Sequence, residues 1–173
     1  MLEAYVKKIL SSEVYDVAVE TPLEAAPFLS TRLNADVSFK REDLQPIHSF
    51  KIRGAYNRIV KLGEHERERG VLAASAGNHA QGVALAASRL GIQATIVMGL
   101  NTPAIKIEAV QRLGAEVVLR GDTYDDAAQH AHALAARNGA TLVSPYDDPA
   151  VIAGQGTVGV EILNQHEGDP DAI

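Results

Sequence analysis

A short polar motif, Ser75-Ala76-Gly77-Asn78-His79, is the first feature of the sequence that could bind a charged ligand. It follows a run typical of a buried strand and comes directly before a helical pattern. Free backbone N–H groups at such a junction, together with the helix dipole, favour a carboxylate or a phosphate. The motif matches neither a P-loop nor the dinucleotide-binding GxGxxG pattern. Two interpretations stay open, an anion site or a tight turn in which the glycine serves geometry alone.

Lys51 is the second candidate, because it lies where a helix is predicted to begin. Its neighbours Phe50 and Ile52 are apolar, and an amine beside a helix N-terminus in such surroundings loses its proton more easily than a solvated amine. A neutral lysine is a nucleophile that forms Schiff bases. The competing interpretation is a solvated surface lysine, and Lys51 taken alone does not decide between the two.

The elements that would position these residues alternate from about residue 70 onward. Short β-branched runs are followed by alanine-rich helical stretches, which is the pattern of an open parallel α/β sheet with flanking helices. The predicted strands are residues 71–75, 94–98, 116–119 and 141–144. Gly91, Gly114 and Gly139 each come just past a helical pattern, where a left-handed residue is favoured.

Two of the predicted helices have apolar stripes and recognisable starts. In the later one, Asp122 is the predicted N-cap and Tyr124 belongs to the stripe that should pack on the sheet. The helix near Lys51 is predicted to begin with Ser49 as its N-cap and to stop at Gly63. Its stripe consists of Ile52, Ala55, Tyr56 and Ile59. Lys51 and Arg53 then fall at the positive end of the helix dipole, where cations are disfavoured. The presence of two cations at this position needs an explanation.

Composition excludes several classes of function. Of the 173 residues, 46% are apolar and 22% charged, as in folded globular proteins. The net charge of −6 and the lack of a basic run disfavour nucleic acid as a partner. The chain has no cysteine, which excludes disulfides, thiolate nucleophiles and cysteine-based metal sites. His130 and His132 point to different faces of a predicted helix, so we predict no metal site. The first ten residues lack the features of a signal peptide and no apolar run reaches about 18 residues, so we predict a cytoplasmic protein with no membrane partner.

Three separated motifs occur in order along the chain: SFK followed by RGA within 49–55, SAGNHAQG at 75–82 and VIAGQGT at 151–157. Segments 14–23 and 40–51 are similar to the opening stretch of a biosynthetic enzyme that carries the same motifs. Together these residues resemble the biosynthetic threonine dehydratase (threonine deaminase) branch of the fold-type II pyridoxal-phosphate enzymes. The resemblance covers nearly the whole chain.

The resemblance implies a tryptophan synthase β-like fold with a complete small lobe and a partial large lobe. Residues 1–52 would be the first part of the large cofactor domain, 53–154 the small α/β domain, and 155–173 a return segment into the large domain. In this family the loop that binds the cofactor phosphate, the residue at the pyridine nitrogen and a regulatory domain that binds isoleucine would follow later. The resemblance therefore predicts an incomplete fragment that holds the cofactor weakly.

The resemblance also assigns roles to individual residues. Lys51 would form the Schiff base with pyridoxal phosphate and would later remove the α-proton of the substrate. Phe50 would pack near the cofactor ring, and Asn78 would hydrogen-bond the 3-hydroxyl oxygen of that ring. The residues that would grip the α-carboxylate of the substrate are Ser75, Gly77, Asn78 and His79. This agrees with the anion site that the residues themselves indicate.

The implied reaction is the dehydration and deamination of L-threonine to 2-oxobutanoate and ammonia, with L-serine as a slower substrate. It would belong to isoleucine biosynthesis, in a homo-oligomer. Ala76 stands where the related serine racemases carry a serine, so racemisation is disfavoured. Two alternatives remain open: an L-serine dehydratase, and an inactive folded fragment that self-associates through apolar surface.

Overall fold

The computed structural model describes residues 2–173, with side chains from residue 3 onward, so Met1 of the predicted first segment lies outside it. In chain order the elements are α1 (Leu2–Leu10), β1 (Leu23–Ala25), α2 (Pro27–Leu33), β2 (Ser38–Lys40), a 3-10 turn (Glu42–Leu44), α3 (Lys51–Ile59), α4 (Glu64–Arg69), β3 (Val71–Ala74), α5 (Asn78–Leu90), β4 (Ala94–Met98), α6 (Ala104–Arg112), β5 (Glu116–Leu119), α7 (Tyr124–Asn138), β6 (Thr141–Leu142) and α8 (Pro149–Gln165). None of the helices within this range is long and apolar enough to cross a membrane.

Strands β3 to β6 form the parallel sheet that the sequence predicts, in the order β5-β4-β3-β6. Strand β6 is shorter than predicted, since only Thr141 and Leu142 pair in register with β3. Pro145 lacks the N–H group that a longer ladder would need. Ser75, predicted as the last residue of β3, lies in the turn that follows it. Strands β1 and β2 form a separate antiparallel pair.

Helices cover both faces of the sheet. Helices α5 and α6 lie on one face and α7 on the other. Along β3, Val71 and Ala73 belong to the core on the α5 side, whereas Leu72 and Ala74 belong to the core under α7. This is the alternation that a strand imposes. Both faces of β3 are therefore buried, which explains why an uninterrupted apolar run marks it in the sequence.

The predicted start of α7 is wrong by one residue. Thr123, not Asp122, precedes the first helical residue, and its hydroxyl accepts a hydrogen bond from the Asp126 N–H at 3.2 Å. The Asp126 carboxylate in turn accepts from the Thr123 N–H at 3.1 Å. This reciprocal capping satisfies two donors at once. Because Tyr124 lies at the very start of the helix, it is 54% exposed and does not join the buried stripe.

Helix α3 differs from its prediction at both ends. Phe50 rather than Ser49 precedes it, although the Ser49 hydroxyl still accepts from the Lys51 N–H at 3.3 Å. The helix also ends before Gly63, which is instead the N-cap of α4, where the Glu66 carboxylate accepts from the Gly63 N–H at 2.9 Å. The left-handed glycines are confirmed: φ is 67° at Gly91, 92° at Gly114 and 70° at Gly139.

Helix α3 is packed between α5 and α8, and glycines allow the close approach. A methyl group at Gly82 of α5 would lie 3.1 Å from the Lys51 carbonyl oxygen. At the other crossing, a methyl group at Gly154 of α8 would lie 2.6 Å from the Arg53 carbonyl oxygen and 2.8 Å from the Gly54 Cα. These two contacts fix the axis of α3, and with it the position of Lys51 in the first turn.

Replacing Gly154 with alanine is expected to lower the free energy of unfolding by about 1–3 kcal/mol, because α3 and α8 must move apart. Gly159 on the same helix is the matched control, since a methyl group there meets nothing within 4 Å. A Gly159→Ala change should instead raise stability by roughly 0.5–1 kcal/mol, as alanine restricts the unfolded chain. Urea unfolding of both variants measures the difference, and equal effects would contradict the tight crossing.

Candidate active site

Lys51 is the first residue of α3, and its side chain is partly buried. Its Nζ donates to the Pro145 carbonyl oxygen at 3.0 Å and lies 4.9 Å from the centroid of the Tyr146 ring. The centroid of the Phe50 ring is 5.4 Å from the same nitrogen. Burial lowers the pKa of the Lys51 amine from its ordinary value of 10.5. The amine therefore gives up its proton more easily than a solvated one.

The loop that carries the polar motif follows the carboxyl end of β3. The Ser75 N–H donates to the Val97 carbonyl at 3.1 Å, and the Ser75 hydroxyl accepts from the Gly77 N–H at 3.2 Å, so the turn is fixed on the sheet. Asn78 opens α5 with an exposed side chain. A methyl group at Gly77 would meet nothing within 4 Å, so the space beside the loop is open. The N–H groups of the first helical turn lack helix-internal acceptors and suit an anion.

His79 lies in the first turn of α5 and is 3% exposed. Its Nε2 is 2.9 Å from the Val143 carbonyl oxygen, and because a carbonyl only accepts, Nε2 carries the proton. The Nδ1 atom is then an acceptor, buried and without a partner among the described residues. Burial lowers the pKa of His79 below its ordinary 6.5, and the nearby charge of Lys51 lowers it further. His79 is thus neutral at pH 7 and offers a ligand no positive charge.

The loop between β6 and α8, residues 143–148, joins these parts. Its Val143 carbonyl contacts His79 of α5, and its Pro145 carbonyl contacts Lys51 of α3. The structure therefore brings Phe50, Lys51 and His79 into one cluster. The remaining predicted residues, Ser75, Gly77 and Asn78, lie in the turn that leads directly into His79. Their roles toward a ligand stay predictions.

A buried ion-pair network lies along α3, and the sequence analysis did not predict it. Arg53 is fully buried, and its Nε and Nη2 donate to the two carboxylate oxygens of Glu42 at 2.8 Å each. Its Nη1 and Nη2 also donate to Glu161 of α8, the latter at 2.9 Å. Lys40 Nζ lies 2.7 Å from Glu161. We call these four residues, Lys40, Glu42, Arg53 and Glu161, the Arg53 network. It joins the chain segment around β2 to α3 and α8.

Glu161 of the Arg53 network is charged at neutral pH. Burial by itself raises the pKa of Glu161, but hydrogen bonds from Arg53, Lys40 and Tyr15 outweigh burial and hold the pKa below its ordinary 4.5. Tyr15 donates to Glu161 at 2.7 Å, and burial together with this bond raises the pKa of Tyr15 to about 12. Two carboxylates thus compensate for a cation at the positive end of the α3 dipole. That cation was the one sequence signal that pointed to the network.

Residues of the VIAGQGT motif secure the contact between α8 and α3. Thr157 accepts from Arg53 Nη1 at 3.1 Å and donates to the Gly154 carbonyl at 2.7 Å. The Gln155 side-chain oxygen accepts from the Gly54 N–H at 3.2 Å. Its Nε2 is buried without a partner within residues 2–173. The motif accordingly packs the helix that presents Lys51.

Residues 14–173 match the family described as "Pyridoxal-phosphate dependent enzyme". The chain belongs to the pyridoxal-phosphate dependent enzyme family. "Threonine dehydratase 1 biosynthetic, chloroplastic" of Solanum lycopersicum is 58% identical over 169 residues, which are 98% of this chain and 28% of that protein. A biosynthetic L-threonine dehydratase of Burkholderia multivorans is 52% identical over 172 residues, 98% of this chain and 34% of that protein. The chain thus spans only about a third of the length of these relatives.

Solved structures of the pyridoxal-phosphate family agree with the fold. The processed form of threonine deaminase isoform 2 from Solanum lycopersicum superposes with a TM-score of 0.93 at 54% identity, over 96% of this chain and 46% of that one. Maize serine racemase gives a TM-score of 0.87 at 32% identity, over 94% of this chain and 49% of that one. These findings confirm the predicted family and the predicted α/β class, an open parallel sheet with flanking helices.

The described residues fit pyridoxal phosphate, the cofactor of this family. The cofactor requires an amine that can lose its proton, and burial lowers the pKa of Lys51. A planar ring bound to this amine would lie within reach of the aromatic side chain of Phe50. Open space adjoins Gly77, and His79 Nδ1 is a buried acceptor that lacks a partner within the described range.

Proposed function

We propose that this chain carries the lysine and the carboxylate-binding loop of an enzyme that dehydrates and deaminates L-threonine to 2-oxobutanoate and ammonia. The observation that carries the proposal is the partly buried Lys51 amine, held between two aromatic rings beside His79. Relatives more than 50% identical are named threonine dehydratase. The word "biosynthetic" in those names supports a place in the formation of a branched-chain amino acid, isoleucine in our proposal.

Each residue of the cluster has a distinct task in this proposal. Lys51 and Phe50 would hold the cofactor, with Asn78 as a donor to its ring oxygen. When bound, pyridoxal phosphate withdraws electrons from the α-carbon of the substrate and so makes its proton acidic. Lys51 Nζ would then accept that proton, and burial, which lowers its pKa, makes the neutral form that acts as a base easier to reach.

The loop before α5 binds the α-carboxylate of the substrate in this proposal. The free N–H groups of its first helical turn supply donors at the positive end of the dipole. Ser75 and Gly77 lie in this loop, and Asn78 and His79 are the first two residues of α5. Because His79 is neutral, the carboxylate is bound by hydrogen bonds rather than by an ion pair.

We extend the proposal to domains, assembly and location. Residues 53–154 would form the small domain, and 1–52 and 155–173 parts of a larger one. The whole protein would be a cytoplasmic homo-oligomer. Light scattering on the longest natural polypeptide that contains this sequence tests the assembly, and fractionation of the source cells tests the location.

The experiment for the proposed reaction is an ammonia-release assay with L-threonine or L-serine, on this chain and on the longest natural polypeptide that contains it. We expect release that requires pyridoxal phosphate and is faster with L-threonine. Faster release with L-serine would indicate an L-serine dehydratase instead. No release from either amino acid by the longer polypeptide would refute the proposed reaction.

Exposed apolar side chains favour a second candidate, a non-catalytic unit that self-associates. Phe28 is 78% exposed, Leu33 61% and Phe39 51%, all near the β1–β2 pair. Large exposed apolar side chains are a common feature of association sites. Concentration-dependent light scattering by this chain, together with a lack of ammonia release, would favour this candidate over the first.

A further inference from the structure

The contacts of the Lys51 amine come largely from one loop. Of the loop at residues 143–148, Pro145 supplies the carbonyl oxygen at 3.0 Å from Nζ, and Tyr146 supplies a ring whose centroid is 4.9 Å from Nζ. A cation within about 6 Å of an aromatic centroid is attracted by the ring. The Tyr146 ring is 72% exposed, so it adds this attraction without closing the amine off from a ligand.

The backbone at Tyr146 is held by contacts that do not involve Lys51. The Ser144 hydroxyl accepts from the N–H groups of Tyr146 at 3.3 Å and of Asp147 at 3.1 Å, which closes a tight turn. Asp148 caps α8 by accepting from two backbone N–H groups, and it pairs with Arg58 of α3 at 2.8 Å. The loop backbone is therefore held by hydrogen bonds or an ion pair both before and after Tyr146.

We propose that Tyr146 is a positioning residue, whose ring acts with the Pro145 carbonyl to hold the Lys51 amine in one orientation and to favour its protonated form. This attraction opposes the effect of burial, which favours the neutral amine. The inference rests on the proposed function only for the identity of Lys51 as the reactive lysine.

Within the part of the chain that the structure describes, few other charged or titratable groups lie close to the Lys51 amine. His79 faces it from α5 and is neutral above its lowered pKa. Tyr124 of α7 lies near Tyr146 and interacts with it electrostatically. No carboxylate lies within 4 Å of Lys51 Nζ in the part of the chain that the structure describes. The Tyr146 ring and the Pro145 carbonyl, together with the Phe50 ring at 5.4 Å, are thus the groups that favour the ammonium form.

The test is a pH titration of the lysine amines, followed by NMR after reductive methylation with ¹³C-formaldehyde and without any cofactor. The Lys51 signal is assigned by its loss in a Lys51→Arg variant. Replacing Tyr146 with leucine should lower the titration midpoint of Lys51 by about half a pH unit, because the attraction to the ammonium form is lost. Tyr146→Phe keeps the ring and should leave the midpoint within about a tenth of a unit of the parent.

Lys8 is an internal control, because its Nζ lies 5.3 Å from the Tyr5 ring on α1. Its midpoint should be the same in all variants. An unchanged Lys51 midpoint in the leucine variant would overturn the proposal, as would an equal fall in the phenylalanine variant. Because no cofactor is present, the result is independent of the proposed reaction. A shifted midpoint together with no ammonia release would leave Tyr146 as a positioning residue and reject only the reaction.

Discussion

A Lys51→Ala variant is expected to lose both the visible absorbance band that pyridoxal phosphate gives on the parent chain and all release of ammonia from L-threonine. The Lys51 amine is partly buried, which lowers its pKa, and it lies close to two aromatic rings. Without a nucleophilic amine the cofactor has no covalent attachment and the α-proton has no base. Absorbance titration with the cofactor and the ammonia assay measure the two losses.

Lys106→Ala is the matched control, since Lys106 is an exposed lysine on α6. It should keep the parent band and the parent rate. The unfolding free energy of the Lys51 variant should stay within about 1 kcal/mol of the parent, because only one hydrogen bond and two ring contacts at a partly exposed side chain are lost. A band of full intensity in the Lys51 variant would show that the cofactor attaches elsewhere.

Replacing Arg53 with methionine is expected to lower the free energy of unfolding by about 3–5 kcal/mol, the second large effect. The change leaves Glu42 with no guanidinium partner and leaves Glu161 with Lys40 alone. Glu161 is only 2% exposed, so Lys40 would be the one remaining cation that compensates for its charge in a buried position. Because Arg53 lies in the first turn of α3, two residues after Lys51, the Lys51 cluster should loosen as well. Urea unfolding followed by circular dichroism measures the loss.

The control for this change is Arg112→Met. Arg112 pairs with Glu108 at 2.8 Å along α6, but the two side chains are 74% and 54% exposed. Such a surface pair contributes roughly 0.3–0.5 kcal/mol. Similar losses for the two variants would mean that the Arg53 network adds little beyond an exposed ion pair.

The sheet and its helices could be predicted because their residues obey local rules. Both faces of β3 are buried, so its run is continuously apolar, and left-handed glycines end the helices. Helix starts were less predictable, because a cap depends on its partner: Thr123 displaces Asp122 through a reciprocal bond with Asp126. Strand β1 and helix α2 have too few residues to show a period, whereas β2 lies within the strand that the sequence predicts near residues 36–40.

The candidate site was predictable in part. Lys51 and the loop at 75–79 stand out by residue type and position. The residues that contact Lys51 and Arg53 lie far away in the sequence. Pro145 and Tyr146 are more than 90 residues from Lys51, and Glu161 is 108 residues from Arg53. Only the folded chain brings these groups together, so sequence spacing carries no sign of them. Arg53 itself was flagged as a misplaced cation, but its partners were not.

The central claim is that Lys51 is the lysine to which pyridoxal phosphate attaches. Mapping the attachment site tests this claim most directly. The chain is saturated with the cofactor, reduced with sodium borohydride, digested and analysed by mass spectrometry. We predict a single modified peptide that contains Lys51. Modification spread over the other lysines, Lys7, Lys8, Lys40, Lys61 and Lys106, with Lys51 unmodified, would contradict the claim.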